Sequence, residues 1–192
     1  MQVQSPAKRR QIVAAAARLF ASRPFHTVRL EEVAAAAHVG KGTLYVYFKS
    51  KDDLYGALAF EAFSEVLGRL KGETGRSTAT ARDDLRRILL ELVRFADRHP
   101  HLFVLAPPGT HLARHPEWRK RGRELIALIE AVLRRGIRDG RMRDPRPELT
   151  AICVPGLVRS ARIFGSRTLR GKKLADSLVR LVEHGIGVGG AR

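Results

Sequence analysis

Between Phe25 and Lys51 the chain reads FHTVRLEEVAAAAHVGKGTLYVYFKSK, and this stretch admits few folds. Val28, Leu30, Val33, Ala34 and Ala37 recur at helical spacing and are small, so a second helix can approach closely. His38, Val39 and Gly40 break that pattern, and Lys41 to Phe48 resumes it with Leu44 and Phe48 four apart on the inward face. Two short helices joined by a tight turn make a helix-turn-helix. The second helix is so short that few of its residues can be buried. With Leu44 and Phe48 as anchors, Lys41, Thr43, Tyr45 and Tyr47 are left to project outward. An α-helix fits the major groove of B-DNA, where lysine can meet phosphate or guanine, threonine a base edge or thymine methyl, and tyrosine a phosphate oxygen.

The segment GTLYVYFKSKDDL, preceded by LEEVAAAAHVGK, resembles the DNA-binding domain of the TetR family of bacterial transcriptional regulators. That family's signature has the form A-G-V-S-K-G-T-L-Y-x-Y-F-x-S-K-x-x-L, and roughly the first 55 residues fit it without gaps. The resemblance implies DNA contacts at Lys41, Gly42, Thr43, Tyr45, Tyr47 and Lys51. Three positions depart from the pattern. His38 stands at the usual turn glycine and must take a positive φ or reshape the turn. Gly40 replaces the usual serine cap of the recognition helix, at a cost of only a few tenths of a kcal/mol. Arg29 stands where threonine or serine often caps the first helix of the motif. Glu32 can still reach back to the Arg29 amide, and the Arg29 guanidinium can replace the hydroxyl as a phosphate ligand.

The rest of the chain reads as helices. The first opens at Ser5-Pro6, carries Ile12, Val13, Ala16, Leu19 and Phe20 as an apolar stripe, and ends at Arg23-Pro24. Lys8, Arg9 and Arg10 lie in its first turns, where the helix dipole disfavours cations: either a phosphate lies nearby or this is a solvated end. Phe25 is expected to tuck under the helix-turn-helix as a core residue. A long helix starts at Ser50 with Asp52 and Asp53 in its first turn and runs to the loop at residues 72–78. Further helices are expected over about 79–98, from Glu117 to about Asp139, from about Pro147 with a kink at Pro155-Gly156, and over about 172–186.

The fold class is therefore all-α: an N-terminal three-helix helix-turn-helix domain, residues 1–52, and a larger helical effector-binding and dimerisation domain, residues 53–192. The last two helices are apolar over broad faces with no further chain to cover them. Pairing with a second subunit would cover them, and the family uses its last two long helices as a four-helix homodimer interface. The block GIRDGRMRDPRPEL looks like the family's join between those helices. In the family, the helix that follows the motif transmits ligand binding to the DNA-reading heads.

A net charge of +17 fits a polyanionic partner, although arginine is spread along the whole chain. No apolar run approaches the roughly 20 residues needed to span a bilayer, and no signal peptide is visible, so a cytoplasmic protein without a membrane partner is expected. One cysteine, Cys153, excludes an internal disulfide framework and reads as a core thiol. His99, His101, His111 and His115 crowd the irregular stretch around residues 101–118, but only His111 and His115 have ligand-like spacing, and they read as surface and turn residues rather than a metal site. No metal and no cofactor are expected. Phe63, Phe95, Phe103 and Trp118 are candidates for a small-molecule pocket between the middle helices, with plain core as the alternative, and Arg159 and Arg162 could meet an anionic ligand or lie at a dimer rim. Nothing in the sequence places an enzyme's nucleophile, phosphate loop or paired carboxylates.

Two functions fit. One is a ligand-responsive regulator, a repressor by resemblance, that binds a palindromic operator in double-stranded DNA as a dimer. The other is a basic architectural protein that coats DNA with little sequence preference, against which the large apolar-rich second domain argues.

Overall fold

The computed structural model of the chain describes residues 5–75, 79–102, 115–165 and 170–186. Among these residues the structure is helical and has no strand. Helix α1 spans Pro6–Ser22; after a 3-10 turn at Phe25–Thr27 come α2 (Leu30–Ala36) and α3 (Lys41–Tyr47). They are followed by α4 (Lys51–Glu73), α5 (Ala81–Arg98), α6 (Pro116–Arg138), α7 (Pro147–Phe164) and α8 (Gly171–Ile186).

The helix ends lie where side-chain chemistry puts them. Pro6 supplies a preset φ at the first helical position of α1, and the Arg23 N–H closes the helix onto the Leu19 carbonyl at 3.0 Å just before Pro24. At the start of α4 the Ser50 hydroxyl accepts the Asp53 N–H at 3.0 Å, and the Asp53 carboxylate accepts the Lys49 N–H at 3.0 Å. On α5 the pair is fully reciprocal: the Thr80 hydroxyl accepts the Asp83 N–H and the Asp83 carboxylate accepts the Thr80 N–H. His115 begins α6, its Nδ1 accepting the Glu117 N–H at 3.3 Å. Gly140, at φ +67°, ends α6, and Gly136 lets that helix pass against Met142, whose side chain a Cβ at Gly136 would strike.

Two apolar cores share α4. The smaller joins Ile12, Val13 and Ala16 of α1 to Val33 and Ala34 of α2, Leu44 of α3, Phe48 and Leu54. The larger joins Phe63, Leu67 and Leu70 of α4 to Leu85 and Leu89 of α5, Ile129 and Leu133 of α6, Val158 of α7 and Leu178 of α8. Phe20 and Leu58 pack against both. Each fully buried leucine contributes roughly 2 kcal/mol from the area it removes from water.

One charge is also sealed inside. Asp84 is fully buried and accepts hydrogen bonds from Arg135 at 2.6 Å, from Arg87 at 2.8 Å and from the Gly75 N–H at 2.9 Å. A carboxylate removed from water requires such partners, and these tie α5 to α6 and to the end of the α4 turn. On the far side, Arg86 holds Asp176 at 2.8 Å and Asp97 accepts the Gly171 N–H at 3.0 Å, which lays α8 along α5.

Three expectations are corrected. Phe25 does not enter the helix-turn-helix core; its ring stacks on His101 at 3.7 Å and on Phe20 at 5.5 Å and meets Tyr55 edge-on, so it packs against the larger core. The 3-10 turn directs the side chain that way. Cys153 is exposed rather than a core thiol, because on α7 it falls on the same outward side as Leu149, one turn before it. The block from Gly136 to Leu149 joins α6 to α7, not the last two helices to each other. The outward sides of α7 and α8 are apolar: Leu149, Ile163 and Leu181 are exposed, and Phe164 is 85% exposed. Among the described residues no helix is long and apolar enough to cross a membrane.

Candidate functional site

The turn between α2 and α3 sets the angle of the exposed helix. His38 adopts φ 50°, its N–H donates to the Ala35 carbonyl at 3.0 Å, and the Val39 N–H donates to the Ala34 carbonyl at 3.0 Å. This is the Schellman pattern with histidine in the left-handed position that glycine usually fills. Gln11 of α1 donates to the Ala37 carbonyl at 2.8 Å. Gly40, in extended conformation, precedes α3, and Leu44 and Phe48 are buried beneath it as expected. Lys41, Gly42, Tyr45 and Val46 are exposed, while Thr43 and Tyr47 are half-buried.

Each side chain on this face has a definite setting. The Lys41 ammonium lies 2.7 Å from Glu31, which raises the lysine pKa and lowers that of the carboxylate by their mutual hydrogen bond. Both groups are exposed, so the pair is weak and exchangeable. The Tyr47 hydroxyl accepts the Ser5 N–H at 2.8 Å and so ties the end of α3 to the start of α1. Arg29 is exposed at the start of α2, and its N–H donates to Glu32 at 2.8 Å as the sequence implies. Glu32 also accepts both Nη1 and Nη2 of Arg23 at 2.9 and 2.8 Å, and that hydrogen-bonded guanidinium, with the Arg29 amide, pulls its pKa down to about 2.

Lys51, where the resemblance implies a DNA contact, is engaged within the chain. Its ammonium donates to the carbonyls of Phe25, His26 and Val28 at 2.9, 3.4 and 3.0 Å and lies 4.4 Å from the Phe25 ring centre. Carbonyls at the end of a 3-10 turn lack helical donors, and a lysine at the head of α4 supplies them. Arg9 likewise turns toward α4, meeting Glu61 at 3.1 Å and lying 5.3 Å from the Phe48 ring centre.

A second site lies in the larger domain. Phe63, Phe95 and Trp118 converge on one cavity of about 360 Å³. Phe63 stacks on Trp118 at 5.8 Å and packs on Phe95 at 5.3 Å. Phe103 lies outside the described residues, as does His111. Sequence reasoning missed most of the fourth wall, which α7 supplies with Ile152, Pro155, Gly156 and Val158 beside Arg159. The Pro-Gly pair inside an apolar helix was the available signal. Arg162, by contrast, is nearly buried and pairs with Asp97 at 3.3 Å. His99 and His101 pack on Phe95, Tyr55 and Phe25 instead of facing one another across a metal site, and no group of three metal-ligating side chains occurs among the described residues.

Comparison with known proteins agrees with this geometry. Residues 12–58 match the profile of the bacterial regulatory proteins of the tetR family. A transcriptional repressor of Mycobacterium tuberculosis, the HTH-type protein Rv1474c, is 28% identical over 79% of this chain and 78% of its own length. Among solved structures, a TetR/AcrR-family transcriptional regulator from Thermobifida fusca superposes with a TM-score of 0.71 at 23% identity, over 97% of this chain and 100% of that one. The regulator FadR of Bacillus subtilis, crystallised with stearoyl-CoA, gives a TM-score of 0.69 at 20% identity over 92% and 98% of the two chains. Residues 12–58 thus carry a helix-turn-helix of the kind that defines the bacterial regulatory proteins of the tetR family, and the chain as a whole is similar in fold to TetR-family structures.

Proposed function

We propose that the protein is a ligand-responsive repressor that binds a palindromic operator as a homodimer, with α3 in the major groove. The observation that carries this reading is the exposed side of α3. A Cβ added at Gly42 would meet nothing within 4 Å, so no packing inside the chain calls for glycine there. Glycine within a helix costs about 0.5–1 kcal/mol relative to alanine. A bare backbone is useful where another molecule must come close, and Gly42 is flanked by Lys41, Thr43 and Tyr45 on the same short helix. Lys41 would exchange Glu31 for phosphate or guanine, Thr43 and Tyr45 would reach base edges or backbone, and the Val46 methyls would suit a thymine methyl. Tyr47 and Arg29 would hold phosphates at the flanks. Lys51 would act indirectly, by fixing the turn at Phe25–Thr27.

The division into a DNA-reading head, residues 1–52, and an effector and dimerisation domain, residues 53–192, is supported by the smaller core closing at Leu54 and the larger opening at Tyr55. The exposed apolar sides of α7 and α8 favour the homodimer, whose twofold axis would set two α3 helices about 34 Å apart in successive grooves. The cavity beside Phe63, Phe95 and Trp118 is of the size and apolarity of a small-molecule site, and the solved relative FadR carries a ligand. The repressor sense follows the relative from Mycobacterium tuberculosis.

Lys41→Ala and Tyr45→Ala test the reading. Each is expected to weaken operator binding about tenfold or more in a gel-shift titration, with helical circular dichroism and sedimentation unchanged. Unaltered sequence-specific binding in both variants would overturn the assignment of α3.

A further inference from the structure

The cavity between α4, α5, α6 and α7 is apolar on nearly all sides, and among the described residues the one charged side chain that lines it is Arg159. We infer that the cavity takes a compact amphipathic anion, a carboxylate on a hydrophobic body, with the carboxylate at Arg159 and the body against Phe63, Phe95 and Trp118. This rests on the effector-binding reading given above and names the class of effector.

Size, wall chemistry and charge point the same way. A volume of about 360 Å³ lies at the small end of the range of roughly 300–1,000 Å³ usual for small-molecule sites, which suits a compact ligand such as a ten-carbon acid. Leu92, Leu125, Ile126 and Val158 complete an apolar lining that rewards a hydrocarbon body. Arg159 is half-buried, so its charge is screened less than that of a surface arginine. A guanidinium has five N–H donors in a fork that matches a carboxylate, so an intramolecular contact at Arg159 leaves donors for a ligand. Arg162, one turn further along α7, is not equivalent: it is nearly buried against Asp97 and does not line the cavity. No aspartate or glutamate is among the described lining residues, which disfavours an ammonium ligand, and the net charge of +17 disfavours it further.

The cavity also permits a clean block. A Cβ added at Gly122 or at Gly156 meets nothing within 4 Å, so a larger side chain at Gly122 would enter the open volume instead of pushing packed atoms aside. Replacing a helical glycine also removes a backbone penalty.

The chain's one tryptophan, Trp118, stands in the cavity wall, so its emission reports occupancy. The test titrates the full chain with decanoate, decanol and decylamine, which share one hydrocarbon body and differ in the head group. Decanoate is expected to bind about tenfold or more tightly than decanol, the gain of one charge-assisted bond, and decylamine more weakly than either. Arg159→Met should bring decanoate to the level of decanol without changing decanol, Arg159→Lys should keep part of the preference, and Gly122→Leu should abolish all three responses while helicity is retained. Equal binding of decanoate and decanol, or a preference that survives in Arg159→Met, overturns the anion inference and leaves the effector cavity standing. No response to any of the three compounds, or an unchanged response in Gly122→Leu, overturns the effector cavity itself and the inference with it.

Discussion

His99 shows how far a single side chain can depart from its usual behaviour in this fold. Its ring packs on Phe95 at 4.7 Å and faces Tyr55 at 6.3 Å, and burial, with the nearby Arg98 charge, pushes its pKa down to about 4. Burial lowers His101 too, helped by Lys51 and His26 and opposed by Asp52. The folded chain therefore keeps His99 neutral where the unfolded chain, with the ordinary value of 6.5, takes up a proton. Stability from this group is complete above about pH 6.5 and is lost as the pH falls toward 4. Since the ring is partly solvated, the loss should be about 1–2 kcal/mol. The thermal midpoint of the wild-type chain is expected to fall between pH 7 and pH 5, and His99→Phe should remove much of that fall; an equal fall in the variant would contradict this account of His99. The histidines, Phe25 and Lys51 were the residues least legible in the sequence. Their settings arise from contacts between segments 23 to 76 positions apart, such as Lys51 with Val28 and Phe25 with His101, which no local pattern encodes. Lys41, Gly42, Thr43 and Tyr45 were legible because Leu44 and Phe48 fix the inward side of α3 by spacing alone.

Helix boundaries were legible for the same local reason. Ser5-Pro6, Ser50 with Asp53, and Thr80 with Asp83 are start signals that act within four residues, and all three helices begin there. What α7 does was less legible, because this helix has work on both sides. Its inner side lines the cavity through Pro155 and Val158, and its outer side exposes Leu149, Ile163, Phe164 and Cys153. An apolar helix reads alike whether it faces a core, a ligand or a second subunit, which is why Cys153 was expected in the core. If the outer side is the dimer interface, charge placed there should separate the subunits while leaving each one folded. Phe164→Asp is expected to weaken the dimer about tenfold or more in sedimentation equilibrium, with unchanged helical circular dichroism, by stranding a charge at an apolar contact. An unaltered dimer mass at low concentration would move the interface elsewhere.

For the molecule as a whole, α4 is the shared member of two cores. Leu54 belongs to the smaller and Tyr55 to the larger, and the Tyr55 ring meets Phe20 and Phe25 at 5.1 and 5.2 Å. Lys51, clamped to three carbonyls of the Phe25 turn, and Arg9, held by Glu61, fasten the head to the same helix. Phe63, on α4 two turns beyond Tyr55, is in the cavity wall. A ligand that favours one position of Phe63 would thereby favour one tilt of α4 and one spacing of the two heads, provided its affinity differs between the two arrangements. This coupling has a purpose only if the heads read a spaced, symmetric DNA site, and that is the claim to test first. Full-length protein at physiological salt should be used to select bound sequences from a random duplex pool, with a footprint on the best of them. The expected result is an enriched palindrome with half-sites about one helical turn apart or somewhat more. No enrichment, with binding that disappears as salt rises, would contradict an operator-reading dimer and leave only attraction to the DNA backbone.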